Sequence, residues 1–127
     1  MAEADLSFSG TRQPAIVLSS IGIQGPAGVA GFFTESGTTH TLQQGNRSKI
    51  GKFTNASGIT ITIPSGLSED YDVMIVQMGT GQITFSPASG VTMRSPLSAN
   101  KTTYQYAVAN VLAIGPNEVL LTGEVAV

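Results

Sequence analysis

The chain has 127 residues, which is one ordinary domain and little more, and only 11% of them are charged against roughly 25% in an average soluble domain. Its surface is therefore built from Ser, Thr, Gly, Asn and Gln, or it is covered by a partner. A net charge of −2, with six basic residues scattered along the chain, leaves no patch for a phosphate backbone, and zero cysteines with one histidine exclude thiol chemistry, disulfides, iron–sulfur clusters and a multi-histidine metal site within one chain.

In chain order, residues 1–14 are polar and end at Pro14 without usable periodicity. Met1-Ala-Glu-Ala-Asp-Leu6 lacks the basic and apolar regions of a secretion signal, so synthesis in the cytoplasm is expected. Ala15 to Ile23 is a β-branched apolar run that reads as a strand or an extended arm. No apolar run reaches the ~20 residues of a membrane-spanning helix. Gly22, Gly25, Gly28 and Gly31 then fall at every third position, with Pro26, Ala27 and Ala30 between them. These triplets are too few for a collagen helix. They suit either a plain Gly/Pro loop or three arms approaching a threefold axis, where side chains do not fit. Residues 34–48 are polar and loop-like, with at best a short strand at His40-Thr-Leu-Gln-Gln44.

From Ile50 the strand signal is clean. Ile59-Thr-Ile-Thr-Ile63 alternates at period two and stops at Pro64-Ser-Gly66. Tyr71 to Met78 is mostly apolar, Gly79-Thr-Gly81 is a turn, and Gln82-Ile-Thr-Phe85 alternates, so the two runs read as a hairpin. Gly90 to Arg94 is a short strand closed by Pro96. Thr103 to Ile114 is the longest candidate, with Tyr104, Tyr106, Val108 and Leu112 on one face and Ala107, Ala109, Val111 and Ala113 on the other. Gly115-Pro-Asn117 turns the chain into a last strand, Glu118 to Thr122. Helix-period stripes are missing. The expected fold is all-β, a small sandwich or barrel over about residues 50–127, preceded by an extended arm over residues 1–49. Ile59, Ile61, Ile75, Phe85, Tyr106 and Leu112 are the expected core.

Candidate chemistry is sparse. His40 has Ser36, Ser48 and Asp70 as conceivable triad partners, yet no serine sits in a nucleophile elbow. It reads as a solvated or subunit-contact histidine; three copies around an axis would be needed for a metal. Glu69, Asp70 and Asp72 form an acidic cluster without calcium-loop spacing and read as a solvated strand entry that keeps an edge from pairing. Gly79-Thr-Gly81 lacks the third glycine and the helix of a dinucleotide fingerprint. Asn46-Arg-Ser, Asn55-Ala-Ser and Asn100-Lys-Thr read as loop composition where the chain reverses. No enzyme and no cofactor is expected.

Phe53-Thr-Asn-Ala-Ser-Gly-Ile-Thr-Ile-Thr-Ile-Pro64, Val76-Gln-Met-Gly-Thr-Gly-Gln-Ile-Thr-Phe85, Gly90-Val-Thr-Met93 and Asn117-Glu-Val-Leu-Leu-Thr-Gly-Glu124 together resemble a β-module of bacteriophage virion proteins, found in tail fibres, head fibres and small capsid-associated proteins. The resemblance spans about residues 50–127 and implies a non-enzymatic, trimeric building block located in the virion. On that expectation the chain is a homotrimeric capsid decoration or cementing protein whose arm clamps neighbouring subunits of the major capsid protein. Ile16, Val17, Leu18, Ile21, Gly22, Ile23, Gly25, Pro26, Gly28 and Gly31 would be the subunit and capsid contacts. The competing expectation is a receptor-binding or fibre-tip module. It would meet a host surface glycan through loops 54–57, 86–90 and 98–103, with Tyr71, Tyr104 and Tyr106 as stacking candidates. A secreted adhesin or lectin shares the β-composition but would need a signal peptide.

Overall fold

The computed structural model describes residues 30–127. Their regular structure is eleven strands, apart from single 3-10 turns at Gln44–Asn46 and Pro96–Ser98. The strands are β1 Phe32–Glu35, β2 Thr39–Thr41, β3 Lys49–Phe53, β4 Ile59–Ile63, β5 Asp72–Gln77, β6 Ile83–Pro87, β7 Thr92–Arg94, β8 Lys101–Thr102, β9 Val108–Gly115, β10 Glu118–Gly123 and β11 Val125–Ala126. They form two sheets, ordered β1-β3-β5-β9-β10-β7 and β11-β8-β6-β4-β2. The fold is an all-β sandwich.

The first six strands alternate between the sheets. β1, β3 and β5 pair in parallel in the first sheet, and β2, β4 and β6 pair in parallel in the second. The chain thus winds as a flattened coil. Phe32 lies beside Ile50 and Ile50 beside Met74, while His40 lies beside Ile61 and Ile61 beside Phe85. The second half closes the far end with antiparallel pairs: β9 on β5, β10 on β9, β8 on β6 and β11 on β8.

Alternation explains the core. Ile59, Ile61 and Ile63 of β4, Val73 and Ile75 of β5, and Ile83 and Phe85 of β6 point between the sheets and are buried, with Phe53, Tyr71, Val111 and Leu121. Phe33 packs over Gly51, where any Cβ would collide with the ring. This is why a glycine interrupts β3. Gln77 of the first sheet and Thr102 of the second are the polar groups deepest in this core. The Thr102 hydroxyl donates to Gln77 Oε1 and accepts from the Ile83 N–H at 3.0 Å, while Gln77 Nε2 donates to the Gly79 carbonyl at 3.2 Å.

Four expectations change. Residues 32–49, assigned to the arm, supply β1, β2 and the start of β3, because Phe33 and Leu42 bury themselves against the core. The arm assignment for residues 1–29 lies outside the described residues. β5 and β6 are not a hairpin: Gly79-Thr-Gly81 carries the chain from one sheet to the other. It does so by stacking on the corresponding corner between β3 and β4, with Gly81 N–H donating to the Asn55 carbonyl at 3.0 Å and Gly79 N–H to the Phe53 carbonyl at 3.1 Å. The long strand begins at Val108 rather than Thr103, since Tyr106 takes a left-handed φ of 70°. Its faces are reversed in role. Ala107, Ala109 and Val111 are buried, while Tyr106 is 64% and Leu112 37% exposed.

Candidate functional site

His40 is built into the N-terminal end of the sandwich. Its ring stacks on Phe33 with centroids 5.5 Å apart and meets Phe53 edge-on at 5.5 Å. Nδ1 lies 3.2 Å from Glu35 Oε1 and Nε2 lies 3.2 Å from Asn46 Oδ1. Asn46 Oδ1 also accepts the Gln43 N–H at 2.9 Å, which fixes the amide as an acceptor toward the ring. With a side chain only 12% exposed, His40 is not solvated, the first of the two roles expected of it. Two of the conceivable triad partners are engaged elsewhere: Ser48 Oγ donates to Asp72, and Asp70 pairs with Arg47 at 2.7 Å. His40→Ala is expected to cost about 2 kcal/mol in urea unfolding, from lost ring packing and the lost hydrogen bonds to Glu35 and Asn46. Unchanged stability would show that the cluster holds nothing together.

The acidic residues diverge. Among the described residues no three acidic or histidine side chains converge as a metal site. A hydrogen bond from Ser68, helped by the Arg47 guanidinium, holds the Asp70 carboxyl below the usual aspartate range. Asp72 lies on β5, which is flanked by β3 and β9, so it does not guard a sheet edge as expected. An open depression of about 540 Å³ is lined by Met93, Arg94, Ser95, Ser98 and Asn100. Its one charged group, Arg94, is paired with Glu118.

The two outer faces of the sandwich are unlike. The second sheet shows Thr39, Thr60, Thr84 and Lys101 in one row and Thr41, Thr62 and Ser86 in the next. The first sheet shows Phe32, Ile50, Met74, Asn110 and Thr122 in one row, and Lys52, Val76 and Val108 in another. A third row holds Asp72, Leu112, Leu120 and Arg94. One face is thus hydroxyl-rich and the other aliphatic, and Phe32 is 63% exposed with Lys52 Nζ 4.8 Å from its ring centroid. Its apolar positions are interspersed with Lys52, Asp72, Arg94, Asn110 and Thr122.

Of the site residues named from sequence, Gly31 alone is described. It has φ +125° and its carbonyl accepts the Ile50 N–H at 3.0 Å. Ile16, Val17, Leu18, Ile21, Gly22, Ile23, Gly25, Pro26 and Gly28 lie outside the described residues. Of the stacking candidates, Tyr71 is buried, its hydroxyl donating to the Gln43 carbonyl at 3.0 Å, and burial aided by Asp72 pushes its phenol well above the ordinary tyrosine range. Tyr104 and Tyr106 are each 64% exposed on one loop. The sequence reading missed the aliphatic outer face. The alternating residues of β5 carried the signal, since Met74 and Val76 are apolar where a solvated face would be polar. No protein-family model matches the chain, and no curated protein is similar enough to it to count as a relative.

Proposed function

We propose that this chain is a non-enzymatic assembly protein, and specifically a homotrimeric decoration or cementing protein of a phage head. The aliphatic outer face of the first sheet carries the self-association. Second copies of the chain suit that face because it holds Lys52 and Asp72 in different rows, so a rotated copy sets opposite charges against each other around an apolar centre. The low charge content and the resemblance of residues 50–127 to phage virion β-modules support placing the assembly on a capsid. The polar threonine face of the second sheet then meets solvent, and the chain N-terminal to β1 reaches the major capsid protein.

Light scattering on the purified protein is expected to give three times the 13.1 kDa chain mass. A Val76→Glu/Leu112→Glu variant is expected to run as a monomer with unchanged circular dichroism. The trimer is expected to pellet with undecorated phage heads at saturable stoichiometry. A monomeric parent protein, or a trimer indifferent to heads, would reject the respective part of the reading.

One observation favours a second reading, the receptor-binding or fibre-tip module. Tyr104 and Tyr106 present two exposed rings beside Gln105, a polar and aromatic combination suited to a host surface glycan. Under it, purified protein would adhere to host cells and block infection, and Tyr104→Ala/Tyr106→Ala would abolish both effects.

A further inference from the structure

The hydrogen bonds of the Glu35–His40–Asn46 cluster fix where hydrogens must sit. Asn46 Oδ1 accepts the Gln43 N–H at 2.9 Å, and a backbone N–H can only donate. The atom 3.2 Å from His40 Nε2 is therefore an oxygen, and Nε2 must carry a hydrogen. On the other side of the ring, Nδ1 lies 3.2 Å from Glu35 Oε1, while Glu35 Oε2 accepts the Gly37 N–H at 3.2 Å. An ionised carboxylate offers acceptors alone, so Nδ1 needs a hydrogen too. We infer that this cluster binds a proton that the unfolded chain releases near neutral pH, and that the proton latches β1, β2 and the Gln44–Asn46 turn together at the N-terminal end of the sandwich.

Where the hydrogen sits between Nδ1 and Oε1 does not alter the count. The pair can be an imidazolium facing a carboxylate, or a neutral ring accepting from a carboxylic acid. In both forms it holds one proton more than a neutral histidine beside an ionised glutamate. Loss of that proton sets the Nδ1 lone pair against a carboxylate oxygen, two acceptors with no hydrogen between them. Burial works against a lone charge here, since the ring is 12% exposed. An imidazolium and a carboxylate cancel, however, and Glu35 at 33% exposure keeps part of its hydration. Phe33 favours the protonated ring as well. Its ring stacks on the imidazole with centroids 5.5 Å apart, within the distance over which an aromatic face attracts a cation.

The groups around the ring come from four elements. β1 supplies Phe33 and Glu35, the turn supplies Asn46, β3 supplies Phe53, and Ile61 of β4 is the strand neighbour of His40. Glu35 is the titratable one among them. The cations flanking these positions in sequence have other partners, Arg47 with Asp70 and Lys52 over the Phe32 ring. The folded chain thus binds more protons than the unfolded one, which gives stability a negative slope with pH. The contribution of the latch is full below about pH 6.5, where a histidine in an unfolded chain is protonated as well, and is lost as rising pH strips the folded cluster.

The chain has a single histidine, so imidazole NMR of the full-length protein reads this ring directly. Both ring nitrogens are expected to carry hydrogen at neutral pH. The urea midpoint is expected to drop between about pH 6 and pH 8, the range in which histidine is the side chain that titrates. Glu35→Gln is the matched variant, because its amide can donate to a neutral ring. It is expected to show one ring hydrogen at neutral pH and to lose the drop. The α-amino group titrates in the same range but is common to both proteins, so their difference isolates the cluster. A parent ring with one hydrogen at neutral pH would overturn the inference, as would a flat parent midpoint or an equal drop in both proteins. Should Glu35→Gln fail to fold, the parent's ring spectrum decides the matter alone.

Discussion

Gly81→Ala is expected to lower stability by about 3 kcal/mol or more, or to prevent folding. The corner holding Gly81 lies backbone against backbone on the corner between β3 and β4. A Cβ at Gly81 would overlap the Ser57 carbonyl, and one at Gly79 would collide with the Thr54 and Asn55 carbonyls. Rigid main chain, itself tied by the Gly81–Asn55 and Gly79–Phe53 hydrogen bonds, cannot step aside as a flexible side chain would. Gly45→Ala is the control, because nothing lies within 4 Å of its added Cβ, and it is expected to change stability by less than about 0.5 kcal/mol. Urea unfolding of both variants decides the matter. Equal, small effects would mean that the corners are not stacked.

Thr102→Val is expected to cost about 3 kcal/mol although it preserves shape. It strips Gln77 Oε1 and the Ile83 N–H of their shared partner inside a dry core, and each orphaned group carries a desolvation penalty of about 1–3 kcal/mol. Thr102→Ser keeps the hydroxyl and loses one methyl group, so about 1 kcal/mol is expected. Measured by the same denaturation, the valine variant should be the worse of the two by a clear margin. The reverse order would show that packing, and not the polar bridge, fixes β8 to the first sheet.

The individual strands were readable from period-two alternation. Ile59–Ile63 is a strand over the residues expected, and the Gly115-Pro-Asn117 turn joins β9 and β10 as a hairpin. Pairing was not readable. A short Gly-rich turn between two apolar runs has the same sequence signature whether the strands pair with each other or step between layers. What separates the cases is the stacking of one corner on another some twenty residues away, a contact that no local window contains. The same limit hid the His40 cluster, whose partners Glu35, Asn46, Phe33 and Phe53 come from different turns of the coil.

β9 shows where local reading gives the two faces but not their roles. The alternation sorted Tyr106 and Leu112 from Ala107, Ala109 and Val111, and bulk then suggested that the larger side faced inward. In the folded chain Phe53, Tyr71 and Phe85 already fill the interior, so β9 can offer it only small residues, and its larger ones turn outward. That choice also extends the aliphatic outer face on which the proposed self-association rests.

The sequence by itself determined the all-β class, the main strands from Ile59 onward and the sparse surface charge, because each follows from residue type and from the two-residue repeat of an extended chain. Tertiary structure alone decided that successive strands alternate between sheets, that Phe32 to Thr41 belong to the domain, and which side of each strand is inside. These depend on close approach between segments distant in sequence and on the volume left in a shared core, and both quantities exist only once the chain has folded.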